Sequence, residues 1–170
     1  MKTFVSVALL LLAPAMFAQD KHTHAAGKPV TVNLINSQGH TVGTALLSPT
    51  AAGVKITLDI KSLPPGEHSI HIHQTAKCEL PDFKSAGSHF DAPGHSHGAH
   101  PAGDIPDFSL IVGADGTAHV TTVAPNVTLG TDDHSVFSNG GTAIIIHAVP
   151  DTTTGNAPPR IACGAIVRAD

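Results

Sequence analysis

The chain of 170 residues contains no tryptophan and no tyrosine, and its only large aromatics are six phenylalanines. Basic residues are also few: nine Lys and Arg stand against 13 Asp and Glu, for a formal charge of -4. That balance leaves no electrostatic footprint for a nucleic acid. Cysteine occurs twice, with no C-x-x-C pair, and no internal repeat is visible. The one extended apolar run, FVSVALLLLAPAMFA after Lys2, is too short for a comfortable membrane-spanning helix. What remains is rich in Gly and Pro, with Val, Ile and Thr in short runs, a mixture that favours short strands and turns over long helices. The length points to one domain able to bury a core of its own.

A short basic start, an apolar run and small residues near a cut site read as an export signal. The expected signal spans residues 1–18, with cleavage after Ala18 (Ala15 is the alternative), and no cysteine nearby calls for a lipid anchor. Residues 19–28, QDKHTHAAGK, read as a flexible leader, and 29–170 as the domain. The expected location is periplasmic or extracellular, off the membrane once the signal is removed. In an exported chain an even cysteine pair usually forms one disulfide. Joining Cys78 to Cys163 would close a loop of about 85 residues, worth roughly 4 to 5 kcal/mol by chain entropy. Two thiolate metal ligands are the other reading of the same pair.

Alternation then supplies a series of strands: VTVNLI (30–35), TVGTALL (41–47), VKITLDI (54–60), HSIHIH (68–73), DFSLIV (107–112), TAHVTTV (117–123), TAIIIHA (142–148) and IACGAIV (161–167). Eight short strands with turn chemistry between most of them predict an antiparallel sandwich or barrel. Two connections, 75–106 and 149–160, are longer than such a fold needs, and long loops in a compact domain are commonly functional.

Thirteen histidines, as many as Asp and Glu together, are the compositional excess. Histidine is the commonest metal ligand. In HSIHIH, alternation sends Ile70 and Ile72 to one face and His71 and His73 to the other, roughly 6 to 7 Å apart. His68 falls on the isoleucine face and reads as structural. The pair alone could be two solvated strand histidines. His147 at the end of TAIIIH and His89 in SAGSHF extend it to four imidazoles, a set that suits a redox-active ion such as copper. His89, His95, His97, His100 and Asp104 make a second group, from which imidazoles and a carboxylate could build a tetrahedral zinc site. The other reading of this tract is a disordered metal buffer. His22 and His24 repeat the H-x-H spacing in the polar leader, where solvated disorder is the simpler reading. His40, His119 and His134 receive no role.

GEHSIHIH, CELPDFKSAGSHF, the HG and GD of the histidine-rich loop, GGTAIIIHAVPD and GNAPPRIACGAI occur in order across residues 30–168. With these motifs the chain resembles the copper/zinc superoxide dismutases, especially their exported bacterial members. The resemblance implies an eight-stranded antiparallel Greek-key β-sandwich or barrel with two long functional loops. It implies copper at His71, His73, His89 and His147, with His89 also bridging to zinc. Zinc would be held by His89, His97, His100 and Asp104. Asp151 would link the two metal sites from outside them, Arg160 would dock the substrate anion, and Cys78 and Cys163 would form the family disulfide. The implied reaction converts superoxide to dioxygen and hydrogen peroxide, with Arg160 and His89 as the catalytic groups.

The chain also departs from the family pattern. The usual H-x-G-D appears here as HPAGD, so His95 and His100 both stand as candidates for the same zinc position, and copper alone is the alternative metal content. The loop before Arg160 is short and carries only Asp151 as a charge. In an acidic protein any attraction for an anion must be local, and Arg160, helped by Lys77 or Lys84, is the visible source. A weak salt dependence of rate is expected. The competing function is a periplasmic copper or zinc carrier without turnover, which would need the histidines but neither Arg160 nor Asp151. The chain could act as a monomer or a homodimer.

Overall fold

Strict alternation of apolar and polar residues decides which side chains enter the core. In GVKITLDI, Val54, Ile56, Leu58 and Ile60 are buried while Lys55 and Asp59 are exposed, and VTVNLIN buries Val32 and Leu34 in the same way. The computed structural model describes residues 27–92, 101–106, 108–150 and 158–168. The expected signal, nearly all of the leader, His95, His97, His100 and Asp151 lie outside the described residues. Among the described residues no helix is long and apolar enough to cross a membrane.

The strands are β1 (Val30–Asn36), β2 (Thr41–Thr50), β3 (Gly53–Ile60), β4 (Gly66–His68), β5 (Ile70–His73), β6 (Leu110–Val112), β7 (Ala118–Ala124), β8 (Thr142–His147) and β9 (Arg160–Ile166). Seven of them form one curled sheet in the order β5-β8-β9-β1-β2-β3-β7, and β4 pairs with β6 in a small second sheet. Every named pairing is antiparallel. The first three strands form a meander, and β9 returns to lie beside β1 with β8 beyond it, the kind of long return connection a Greek key uses. The all-β class and antiparallel architecture therefore agree with the reading of the sequence.

The described residues form nine strands, in keeping with the expected eight once HSIHIH is seen to divide between two of them. At Ser69 the chain leaves the small sheet for the large one. Ser69 accepts from the His147 N–H at 2.9 Å, and its own N–H meets the Val149 carbonyl at 3.4 Å. His68 fills the corner, its ring nitrogens 3.0 Å from the His147 carbonyl and 2.9 Å from the Pro64 carbonyl. The structural reading of His68 fits this place. A bonded corner costs no unsatisfied backbone groups, so the chain can change sheets inside one apolar stretch. In DFSLIV, Leu110–Val112 form β6.

β8 does not alternate because both of its faces are covered. Ile144 and Ile146 join the main core, with Leu34, Leu47, Ile56 and Ile72. Ala143 and Ile145 belong to a smaller cluster with Phe83, Ala86 and Cys163, packed against Ile35 and Cys78. That second cluster is the underside of the first long loop. The disulfide Cys78–Cys163 pins the loop to β9, with the two Cα atoms 5.7 Å apart.

The loop also bonds to the outer side of β5. Phe90 N–H donates to Ile72 O at 2.8 Å, Ile72 N–H to Gly103 O at 2.9 Å, Gly103 N–H to Phe90 O at 2.7 Å, and Gln74 N–H to Ser88 O at 2.9 Å. Gly103 is needed at this crossing, since a Cβ there would collide with the carbonyl oxygen of Ile72 and press on the Phe90 nitrogen. Gly103→Ala is expected to lower stability by about 1–3 kcal/mol, the usual cost of overpacking. Denaturant titration of the metal-free protein measures it, and an unchanged midpoint would show that this contact relaxes freely.

Candidate metal centre

Register places the first two histidines. His71 lies opposite Ile145 and His73 opposite Ala143, so both project from β5 onto the loop-covered face of β8. His147 ends β8 at an irregularity in its pairing with β9, and His89 is carried by the loop in a bridge to His73. The four imidazoles converge: each offers a ligand atom, and these atoms all lie within 4.8 Å of one another. The rings of His71 and His89 stack with centroids 4.1 Å apart, and His73 and His89 meet edge to face at 4.9 Å. His71, His73 and His147 are buried.

Backbone carbonyls fix the rings. His73 Nδ1–H donates to the Gly87 carbonyl at 2.9 Å, and His147 Nδ1–H donates to the Pro158 carbonyl at 2.9 Å. Such bonds set the tautomer and turn Nε2 toward the cluster, as the outer partners of metal-bound histidines do. His73 Nε2 is the informative atom: it is buried and has no hydrogen-bond partner among the described residues. A buried polar atom without a partner is costly unless something binds it. Four convergent imidazoles of this kind fit a copper ion.

His89 is held on its other side. Its Nδ1–H donates to Asp104 Oδ1 at 2.7 Å, which brings together an imidazole nitrogen and a carboxylate oxygen suited to zinc. Two of the expected zinc ligands, His89 and Asp104, are thus adjacent, while His97, His100 and the alternative His95 lie outside the described residues.

Arg160, the first residue of β9, completes the wall. Its Nη1 donates to the Phe83 carbonyl and its Nη2 to the Gly87 carbonyl, each at 2.7 Å. A cleft of about 530 Å³ is lined by His73, His89, His147 and Arg160 together with Asp91 and Pro101. Burial pushes the Arg160 pKa below its usual value, with the Asp82 carboxylate opposing the shift. Burial also lowers His73 from 6.5 to about 3, and the nearby charge of Arg160 acts in the same direction. His73 therefore stays neutral, as a ligand must.

The structure brings together His71, His73, His89, His147, Asp104 and Arg160, and joins the two cysteines in a disulfide. The reading of the sequence overlooked Phe83 and Gly87, whose carbonyls hold Arg160. Their contribution is main-chain oxygen, which carries no residue-type signal. Phe83 adopts a left-handed backbone at φ 55 and is fully buried, and no local sequence pattern marks that conformation.

Comparison with known proteins agrees with this geometry. The family model for copper/zinc superoxide dismutase matches residues 41–166. A Superoxide dismutase [Cu-Zn] 2 of Aquifex aeolicus is 42% identical over 168 residues, covering 92% of this chain and 93% of its own. The Superoxide dismutase [Cu-Zn] of Escherichia coli K12 is 34% identical over 184 residues, covering 98% and 99%. Among solved structures, a SOD-like protein from Bacillus subtilis superposes with TM-score 0.72 at 36% identity, covering 81% of this chain and 97% of that one. The Cu/Zn superoxide dismutase from Brucella abortus gives TM-score 0.65 at 25% identity, covering 82% and 99%.

The low His73 value has a consequence for stability. The unfolded chain takes up a proton near the ordinary value of 6.5, while the folded site resists until about 3. The contribution of a neutral His73 is therefore complete above 6.5 and is lost progressively as pH falls through that window. The melting temperature of metal-free protein should decline below 6.5, and His73→Gln should flatten the decline. An equal slope in both proteins would rule out His73 as its source.

Proposed function

This chain belongs to the copper/zinc superoxide dismutase family, and from that membership together with the geometry of the site we infer that it is a superoxide dismutase. It converts two superoxide anions and two protons to dioxygen and hydrogen peroxide. The observation that carries the reading is Arg160 in the same cleft as His73, His89 and His147. A copper carrier needs the imidazoles but has no use for a guanidinium aimed at an anion.

His71, His73, His89 and His147 would hold copper, which would supply the one-electron couple that dismutation needs. The rest of the work falls to the protein. Arg160 presents a rigid fork of donors that an anion can meet, with part of the fork already used to fix it to two carbonyls. His89, steadied at Nδ1 by Asp104, offers Nε2 as the atom that takes up and gives back a proton for peroxide formation. Burial of His71, His73 and His147 limits the access of bulk water to their ring nitrogens.

His89 and Asp104, together with His97 and His100, would hold zinc, and Asp151 would link the two sites from outside. The disulfide suits an oxidising compartment. It supports export of the domain 29–170 after removal of residues 1–18, to the periplasm or outside the cell.

Copper-loaded protein should consume superoxide, and elemental mass spectrometry should find one copper and one zinc per chain. Arg160→Ala should reduce kcat/KM by about tenfold to a hundredfold, the value of a charge-assisted hydrogen bond, with copper content unchanged. Arg160→Lys should recover only part of the loss. Full copper loading without turnover would favour the carrier.

A further inference from the structure

Arg160 borders two depressions. One is the cleft that contains the histidines. The other, of about 450 Å³, lies on its outer side and is walled by Pro81, Pro158 and Pro159, with Asp82 and Lys84 at its edge. Lys84 is the cation best placed to assist Arg160, but its ammonium is 2.7 Å from Asp82 Oδ2. The same carboxylate accepts the Lys84 N–H through Oδ1 at 3.1 Å. These bonds hold the Asp82 carboxyl below its ordinary pKa and so favour its ionised form. Its charge also reaches Arg160, where it partly offsets the effect of burial.

We propose that Asp82 is a specificity-determining residue for anion entry: its carboxylate neutralises Lys84 and weakens the positive potential outside Arg160. The proposal rests on the reading of Arg160 as the anion-docking residue. Lys84 and Asp82 together contribute no net charge to the outer depression. An approaching anion then finds Arg160 by diffusion, with little long-range attraction. A single carboxylate acting through water changes the local anion concentration only about severalfold, and salt erases the difference.

Asp82 has a second role as an acceptor in the turn at Lys84, and the test must separate the two. Asp82→Asn keeps an oxygen for the Lys84 N–H and removes the charge, whereas Asp82→Ala removes both. In copper-loaded protein, Asp82→Asn should raise the second-order rate constant with superoxide about two- to threefold at low ionic strength. The gain should vanish at about 1 M salt, where screening is nearly complete. Azide affinity, followed by visible absorption, should tighten by a similar factor. Lys84→Gln should shift both quantities the opposite way. Asp82→Ala should reproduce the gain in azide affinity if the charge is responsible. If Asp82→Asn melts normally but leaves rate and azide affinity unchanged, the proposal is overturned. If Arg160→Ala also leaves them unchanged, the docking role of Arg160 fails with it. A loss with Arg160→Ala beside no effect of Asp82→Asn would overturn the inference about Asp82 alone.

Discussion

One carbonyl oxygen, that of Gly87, joins the two halves of the site. It accepts from His73 Nδ1 and from Arg160 Nη2, so an imidazole of the histidine cluster and the guanidinium beside it are fixed against the same atom. The distance between them is thereby set by the backbone and not by two flexible side chains. The Phe83 carbonyl, four residues earlier, gives Arg160 its second anchor. Everything that steadies residues 83–87 therefore bears on where the Arg160 guanidinium is held. Phe83 is buried against Ile145 and Cys163, and the disulfide ties the loop to β9. A side chain that never touches substrate thus helps decide where Arg160 points.

The charges of the site follow a matching division. Inside, burial keeps His73 neutral and ready to ligate. At the wall, Arg160 is held by two neutral carbonyls, which bond the guanidinium without cancelling its charge. Outside, Asp82 and Lys84 satisfy each other. Of the cations lining the two depressions, Lys84 is paired with Asp82 while carbonyls hold Arg160, in keeping with the acidic balance of the chain.

Much of this was legible in the sequence because it is written in side chains. The alternation in VKITLDI identifies β3 and its buried face. H-x-H on a strand places His71 and His73 together, and His89, His147, Asp104 and Arg160 acquire meaning from the motifs around them. Three things were not legible. The break at Ser69 depends on hydrogen bonds to residues 147 and 149, far away along the chain. The double burial of β8 looks in sequence like any apolar run, because periodicity cannot report a second covering layer. The anchoring of Arg160 depends on main-chain oxygens that every residue possesses. Lys84 illustrates the limit well: its charge is visible in sequence, but its neutralisation by Asp82 is a matter of geometry.

The bonds between the loop and β5 carry a further consequence. β5 ends the large sheet, and an uncovered end strand is a template for pairing with another chain. Residues 88, 90 and 103 occupy its free hydrogen-bonding groups, while the underside of the same loop covers Ala143 and Ile145 on β8. The segment that carries His89 and Asp104 is therefore also a guard against self-association. Peeling it back would bare an adhesive β edge beside an apolar strip in one motion, so the demand for solubility and the demand for a metal site act on the same few residues.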